Sequence, residues 1–201
     1  MARRKVEVRR EEILAATVTE VQKSGLAHTR VSDIAGALSV SPALIFYHFE
    51  TKDRLLAEAF AYAAERDLVR LAKAVDGPGT ATTRLRAVLR LYSPAGSTPP
   101  GWTLWVDAWA AALRSPELRR VSKRLDLQWK DAVADIIASG VDSGEFRCDD
   151  PHAAAWRITA LIDGLAIQVT VHRGLLTRSE MADWVSGQAA CELGLPVETL
   201  R

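Results

Sequence analysis

Two groups of residues in this 201-residue chain have types and spacings that could do chemistry, and a third group that an enzyme would need is missing. The first group is cationic. Arg3, Arg4, Lys5, Arg9 and Arg10 stand against one acid, Glu7, near the N-terminus, and Tyr47, His48 and Lys52 follow later. Such a basic arm can neutralise phosphates or reach into a minor groove. The second is aromatic. Of six tryptophans, Trp102, Trp105 and Trp109 fall at i, i+3 and i+7, on one helical face. With Asp107 or Asp163 nearby, an aromatic wall suits a cation. A tryptophan stripe is also an ordinary way to fill a core, so an apolar or aromatic pocket is expected and the charge of its ligand stays open.

The four histidines, at 28, 48, 152 and 172, show no HExxH or paired metal spacing, and GxSxG, P-loop and GxGxxG motifs are absent. Asp149, Asp150 and His152 are explained by a loop and a helix start. Cys148 and Cys191 fit no metal or redox spacing. No catalytic residues, no metal and no cofactor are expected, and an enzyme is the weakest alternative.

These groups must be positioned by helices. No segment alternates like a strand, and the chain reads as all-α with about nine helices. The first spans about 8–24, with Ile13, Leu14, Val18 and Val21 as its apolar stripe and Gly25 closing it. The next span about 31–38, 42–48 and 52–75, the last broken by the DGPGT run at 76–80. Others are expected over about 81–92, 102–114, 116–143, 151–173 and 178–193, with a proline-rich loop at 93–101. Ser179 lies near the start of the last of these helices. Hydrophobic residues make up 48% of the chain, enough for an ordered globular core. The net charge of +1 does not by itself advertise nucleic acid, but basic residues gathered on one face are compatible with it. No apolar run reaches the roughly 18–20 residues that cross a bilayer. The N-terminus lacks the apolar stretch of a secretory signal. A cytoplasmic protein without a membrane partner is expected.

The segment from Thr29 to Leu56 is the most specific. Val31, Ile34, Ala35 and Leu38 recur at helical spacing. Ser41 is a good N-cap, with Pro42 at the first helical position. A second short helix carries Ile45, Phe46 and Phe49, with both phenylalanines expected in the core. Thr51 can cap a third, with Lys52 near its start. A tight helix pair with a polar, aromatic-tipped second member is built to enter a major groove. The run Thr29, Ile34-Ala35, Val40-Ser41, Phe46-Tyr47-His48-Phe49, Lys52 and Leu55-Leu56 resembles the DNA-binding signature of the TetR family of transcriptional regulators. Trp102–Leu118 and Asp149–Gln168 are similar to the BetI-like C-terminal group within that family.

The resemblance implies a helix-turn-helix DNA-binding domain over 1–51, with its basic arm, and a larger helical ligand-binding and dimerisation domain over 52–201. Pro42, Ala43 and Leu44 then fall where base edges are usually contacted. All three are apolar, so they can meet thymine methyls but cannot form bidentate hydrogen bonds. Tyr47 and His48 take phosphate and nearby base contacts, and Lys52 holds a phosphate from a helix N-terminus. Thr29 touches phosphate or merely caps the second helix. Arg30 adds a charge near the DNA backbone. Ser39 stands where the family usually has Gly, so the turn is expected to differ slightly.

The implied partners are a palindromic double-stranded DNA operator, a small-molecule effector and a second copy of the chain. The effector pocket is expected among Trp102, Trp105, Asp107, Trp109, Trp129, Trp156 and Asp163. The homodimer is expected to form through Leu161, Gly164, Leu165 and Gln168 on one long helix and Met181, Trp184 and Val185 on the next. Gly164 would let helices approach closely. A repressor released by its ligand is the commoner mode in the family. A helical protein-interaction module is the other rival.

Overall fold

The computed structural model describes residues 2–92 and 101–201, with side chains from Arg9 onward. Its described elements are nine α-helices and a short 3-10 turn, with no strand among them: α1 (Ala2–Ser24), α2 (Val31–Ala37), α3 (Pro42–Phe49), α4 (Lys52–Val75), α5 (Ala81–Tyr92), α6 (Gly101–Ala112), α7 (Pro116–Asp142), α8 (Pro151–Val171), α9 (Arg178–Glu192) and the turn Val197–Leu200. Helix α1 begins at Ala2, not Val8, because the basic stretch holds good helix formers and neither Gly nor Pro. The backbone of the expected N-terminal arm is therefore helical. The side chains of Arg3, Arg4 and Lys5 lie outside the described residues, as does the loop expected from residue 93 up to residue 100.

The chain packs as two units. One comprises residues 1–66 and 103–125, the other residues 67–102 and 126–201. This division differs from a cut between residues 51 and 52, because most of α6 and the start of α7 join the N-terminal helices in the first unit.

In the first unit, Ile13, Leu14, Ile34, Ala35, Ile45, Phe49, Leu55 and Ala59 form one buried cluster contributed by α1 to α4. Ser41 caps α3 by accepting from the Leu44 N–H at 3.3 Å, and Pro42 follows at the first helical position. Thr51 accepts from the Arg54 N–H at 3.1 Å and opens α4. Ser39 has φ 54°, so it takes the left-handed conformation that glycine adopts without a Cβ penalty.

In the second unit, α8 packs on α9, and α9 on the 3-10 turn. Asp150 caps α8, with Pro151 after it. The cap of α9 is Thr177, in a reciprocal capping box with Glu180, and Ser179 lies in the first turn as expected. Among the described residues α8 is long and apolar enough by length and composition to cross a membrane, although charged residues interrupt it and it holds no unbroken apolar run of that length. It carries Arg157 and Asp163, and Ala154, Ala155, Ile158, Ile162 and Ala166 bury one side of it.

Glu145 closes the start of α5 from a distance. Its carboxylate accepts from the Ala81 N–H at 2.9 Å, the Thr82 N–H at 3.0 Å and the Thr82 hydroxyl at 2.9 Å. These bonds, the Thr82 backbone first, hold its pKa at about 2. A depressed carboxylate stabilises the fold above its unfolded pKa of about 4.3 and loses that contribution as pH falls towards about 2. Glu145→Gln is expected to lower the melting temperature at pH 7 by a few degrees, the effect of losing about 1 kcal/mol of capping. The gap between variant and wild type should close on acidification from about pH 4 to about pH 2. A gap independent of pH would show that the charge is not what caps α5.

Candidate functional site

The residues expected to face DNA lie in the first unit. Helix α3 buries Ile45 and Phe49, an i, i+4 pair, against α1, α2 and α4. Its other faces are open. Ser41, Pro42 and Ala43 are exposed, Leu44 and His48 are half-buried, and Tyr47 is 78% exposed. Phe46 was expected in the core but is 41% exposed, because it lies one position off the Ile45–Phe49 stripe. The Tyr47 and His48 rings meet edge-on at 5.4 Å. Arg30 is exposed, and Lys52 is half-buried at the first position of α4.

Thr29 is placed differently. Its side chain is buried, and its hydroxyl donates to the Gly25 carbonyl at 2.8 Å. Arg30 occupies the N-cap position of α2, with no side-chain cap. Thr29 therefore fastens the α1–α2 loop and does not cap α2.

Arg10, expected only as part of a phosphate-facing basic arm, turns inward to Glu58, a residue that sequence reasoning missed. The Arg10 guanidinium donates to the His48 carbonyl at 2.6 Å, pairs with the Glu58 carboxylate and sits 4.4 Å from the centre of the Phe49 ring. It thus satisfies a carbonyl in the last turn of α3, where a cation is favoured. Glu58 also receives Arg54 at 3.2 Å, and Arg54 reaches Glu50 at 2.7 Å. One carboxylate therefore ties α1 and the end of α3 to α4. A basic run in sequence offers no sign of which arginine turns inward.

The expected pocket residues divide between the units. Trp105, Asp107 and Trp109 belong to the first. Trp105 packs edge-on against Phe60 at 4.9 Å and lies 5.9 Å from Trp109. Asp107 accepts from the Leu26 N–H at 2.5 Å, beside Gly25, whose φ of 78° ends α1. Asp107 thereby completes the α1–α2 loop.

Trp102, Trp129, Trp156 and Asp163 lie in the second unit, where Tyr92 joins them. The Tyr92 ring meets Trp129 edge-on at 4.8 Å and Trp102 at 5.9 Å. The Trp102 indole N–H donates to the Tyr92 carbonyl at 2.9 Å. The Tyr92 hydroxyl donates to Asp163 Oδ1 at 2.9 Å. Burial pushes the Asp163 carboxyl up to about 6, against the opposing pull of the Lys130 charge and the Tyr92 hydrogen bond. Burial likewise pushes the Tyr92 phenol well up, and the neighbouring Asp163 charge adds to that shift. Lys130, not foreseen as a site residue, places its ammonium 2.5 Å from Asp126, 3.7 Å from Asp163 and 4.9 Å from the centre of the Trp156 ring. The cluster is an aromatic wall with two carboxylates, able to hold positive charge.

Of the residues expected to pair two copies, Leu161, Leu165 and Gln168 are half-buried, Gly164 is exposed and Trp184 is 55% exposed. Met181 and Val185 are buried inside the chain. The neighbouring Val171 and Leu175 are exposed.

Comparison with known proteins adds to this geometry. A family model described as bacterial regulatory proteins of the tetR family matches residues 13–59. One described as the C-terminal part of BetI-type transcriptional repressors matches residues 81–193. The HTH-type transcriptional regulator BetI of Paraburkholderia xenovorans (strain LB400) is 30% identical over 166 residues, covering 79% of this chain and 80% of that protein. The BetI of Burkholderia mallei (strain NCTC 10229) is 28% identical over 165 residues, with the same coverage of 79% and 80%. Among solved structures, a transcriptional regulator from Saccharomonospora viridis in complex with choline superposes with a TM-score of 0.80 at 28% identity, covering 89% of this chain and 94% of that one. A TetR-family regulator from Rhodococcus sp. gives 0.72 at 27% identity, covering 91% and 95%.

Proposed function

Because the chain belongs to the TetR family of transcriptional regulators and carries a BetI-type C-terminal region, we propose that it is a cytoplasmic repressor that binds a palindromic operator as a homodimer and is released by a small organic cation. As a member of this family it is a DNA-binding regulator and not an enzyme. The observation that carries the DNA role is α3, buried on Ile45 and Phe49, clamped by Arg10 at its end, and presenting Pro42, Ala43 and Tyr47 to solvent. With apolar residues at its tip, specificity leans on Tyr47, His48, phosphate positioning, DNA shape and half-site spacing. Arg30, Lys52 and the basic first turns of α1 supply phosphate contacts.

Two such heads are set at a fixed spacing by a second copy, for which Leu161, Gly164, Leu165, Gln168 and Trp184 of α8 and α9 are the contact residues. The effector site is the cluster of Tyr92, Trp102, Trp129, Trp156 and Asp163. The cationic class is supported by the aromatic rings with their carboxylates and by the choline found in the Saccharomonospora viridis relative. Trp105, Asp107 and Trp109 serve on the DNA-reading side, since Asp107 holds the α1–α2 loop. Release requires that the ligand bind the DNA-incompetent state more tightly than the competent one.

The test is binding to a fluorescent palindromic fragment, measured by anisotropy across salt and choline concentrations, alongside sedimentation. A dimer that leaves DNA on addition of choline is expected. A stable monomer at micromolar concentration, or no preference for the palindrome over random DNA, would overturn the reading. In the same assay Lys52→Ala should weaken operator and random DNA alike and reduce the salt slope by about one. A change in sequence preference alone would remove Lys52 from the phosphate contacts.

A further inference from the structure

Lys130 is a cation already held where the proposed effector's cation would be held. Its side chain is only 5% exposed. Its ammonium is met by Asp126 at 2.5 Å, Asp163 at 3.7 Å and the face of Trp156 at 4.9 Å. Burying an ammonium costs several kcal/mol, and a well-packed apolar side chain commonly serves stability as well as a buried ion pair does. Packing therefore does not explain why a lysine stands here. When both carboxylates are ionised, one cation faces two anions, so the cluster keeps an unmet negative charge.

Two partners of Lys130, Asp163 and Trp156, are also positioned without it. Tyr92 donates to Asp163 Oδ1, leaving Oδ2 as the oxygen nearer Lys130. The Trp156 indole N–H donates to the His152 ring at 3.3 Å, which fixes the plane of the ring. Trp156 is 42% exposed, so its ring lies at the edge of the cluster. Lysine is a flexible tether of four carbons, able to leave while its carboxylates and ring remain.

Resting on the effector reading above, we propose that Lys130 is a tethered competitor: its ammonium fills the place of the effector's cationic group, and binding of a quaternary ammonium ligand requires Lys130 to withdraw. A tethered group acts at an effective concentration in the millimolar range. The apparent dissociation constant of the free ligand is the intrinsic one divided by the fraction of molecules in which the place is vacant, so its affinity falls by that fraction. Lys130 thus sets the ligand concentration at which the regulator responds.

The experiment titrates the full chain with choline chloride, against sodium chloride at matched ionic strength, by tryptophan fluorescence and calorimetry. Lys130→Met and Lys130→Gln should bind choline at least about tenfold more tightly than wild type, the factor for a place filled about nine-tenths of the time. Adding Trp156→Ala to Lys130→Met should abolish the gain. Equal or weaker binding by both lysine variants, or no choline binding by either, overturns the proposal. Because the variants leave carboxylates without their partner, melting is followed as well. Choline should raise the melting temperature of Lys130→Met more than that of wild type, and an equal or smaller rise overturns the proposal. If choline releases wild type from operator while the variants gain nothing, the effector reading stands and the role of Lys130 falls. If the variants gain affinity but choline releases no protein from DNA, Lys130 is the occupant and the effector reading falls.

Discussion

Arg10→Ala is expected to weaken operator binding by at least about tenfold and to destabilise the DNA-reading unit by about 2–3 kcal/mol, the sum of a charge-assisted hydrogen bond and a cation–π contact. The substitution leaves the His48 carbonyl without its donor, the Glu58 carboxylate without one of its two arginines and the Phe49 ring without its cation. The pair is part-exposed, at 34% and 28% for the two side chains, so solvent screening keeps the loss below that of a fully buried pair. Arg10 also lies in the basic run, and a phosphate ligand would lose affinity too. Salt separates the two roles. A clamp that orients α3 lowers affinity with little change in salt slope, whereas a lost phosphate contact lowers the slope by about one. Urea melts followed by circular dichroism report the stability. Unchanged stability with a reduced slope would make Arg10 a phosphate ligand instead. Arg10→Lys should recover only part of the loss, because an ammonium lacks the planar fork that serves the carbonyl and carboxylate together.

Gly140→Ala is expected to be the most damaging single methyl in the second unit. A Cβ built at Gly140 would lie 2.1 Å from Phe146 Cδ2 and 2.3 Å from its Cε2. Phe146 is buried and cannot retreat easily. Its own N–H donates to the Gly140 carbonyl at 3.0 Å, Glu145 before it caps α5, and the Arg147 N–H after it donates to the Leu193 carbonyl at 2.9 Å. Relieving the overlap moves either α7 or this hydrogen-bonded corner, at a cost of about 3 kcal/mol and roughly ten degrees of melting temperature. Adding Phe146→Leu should recover part of that loss, and a double-mutant cycle measures the coupling. Additive effects of the two substitutions would mean that the ring is not what the methyl meets.

Much of the fold is written in short-range signals. Ser41-Pro42, Thr51 and Asp150-Pro151 sit at the starts where caps are found, and Lys52–Val75 and Ala81–Tyr92 match their helices as expected. Phe46 shows where short-range reading fails. In a helix of eight residues only one narrow stripe meets the core, and Ile45 and Phe49 occupy it. The tryptophan stripe fails in another way. Its three members share one helix, but Trp102 packs on Tyr92 while Trp105 packs on Phe60 in the other unit. Periodicity gives the face of a helix and not the partner that covers it. Lys130 was legible only as a helical i, i+4 neighbour of Asp126. Its burial depends on Trp156 and Asp163, which no local pattern brings near.

The bond from Leu26 to Asp107 has a consequence for the order of events during synthesis. Residues 1–66 emerge well before residues 103–125, with which they share one packed unit. Until α6 has been made, the Leu26 amide lacks its carboxylate and Phe60 lacks the Trp105 ring. A buried amide left so costs about 1–3 kcal/mol. The nascent DNA-binding helices must therefore wait for a distant stretch of chain before their folding is complete. A chain truncated at residue 66 keeps every residue of the recognition motif and loses part of what holds it together.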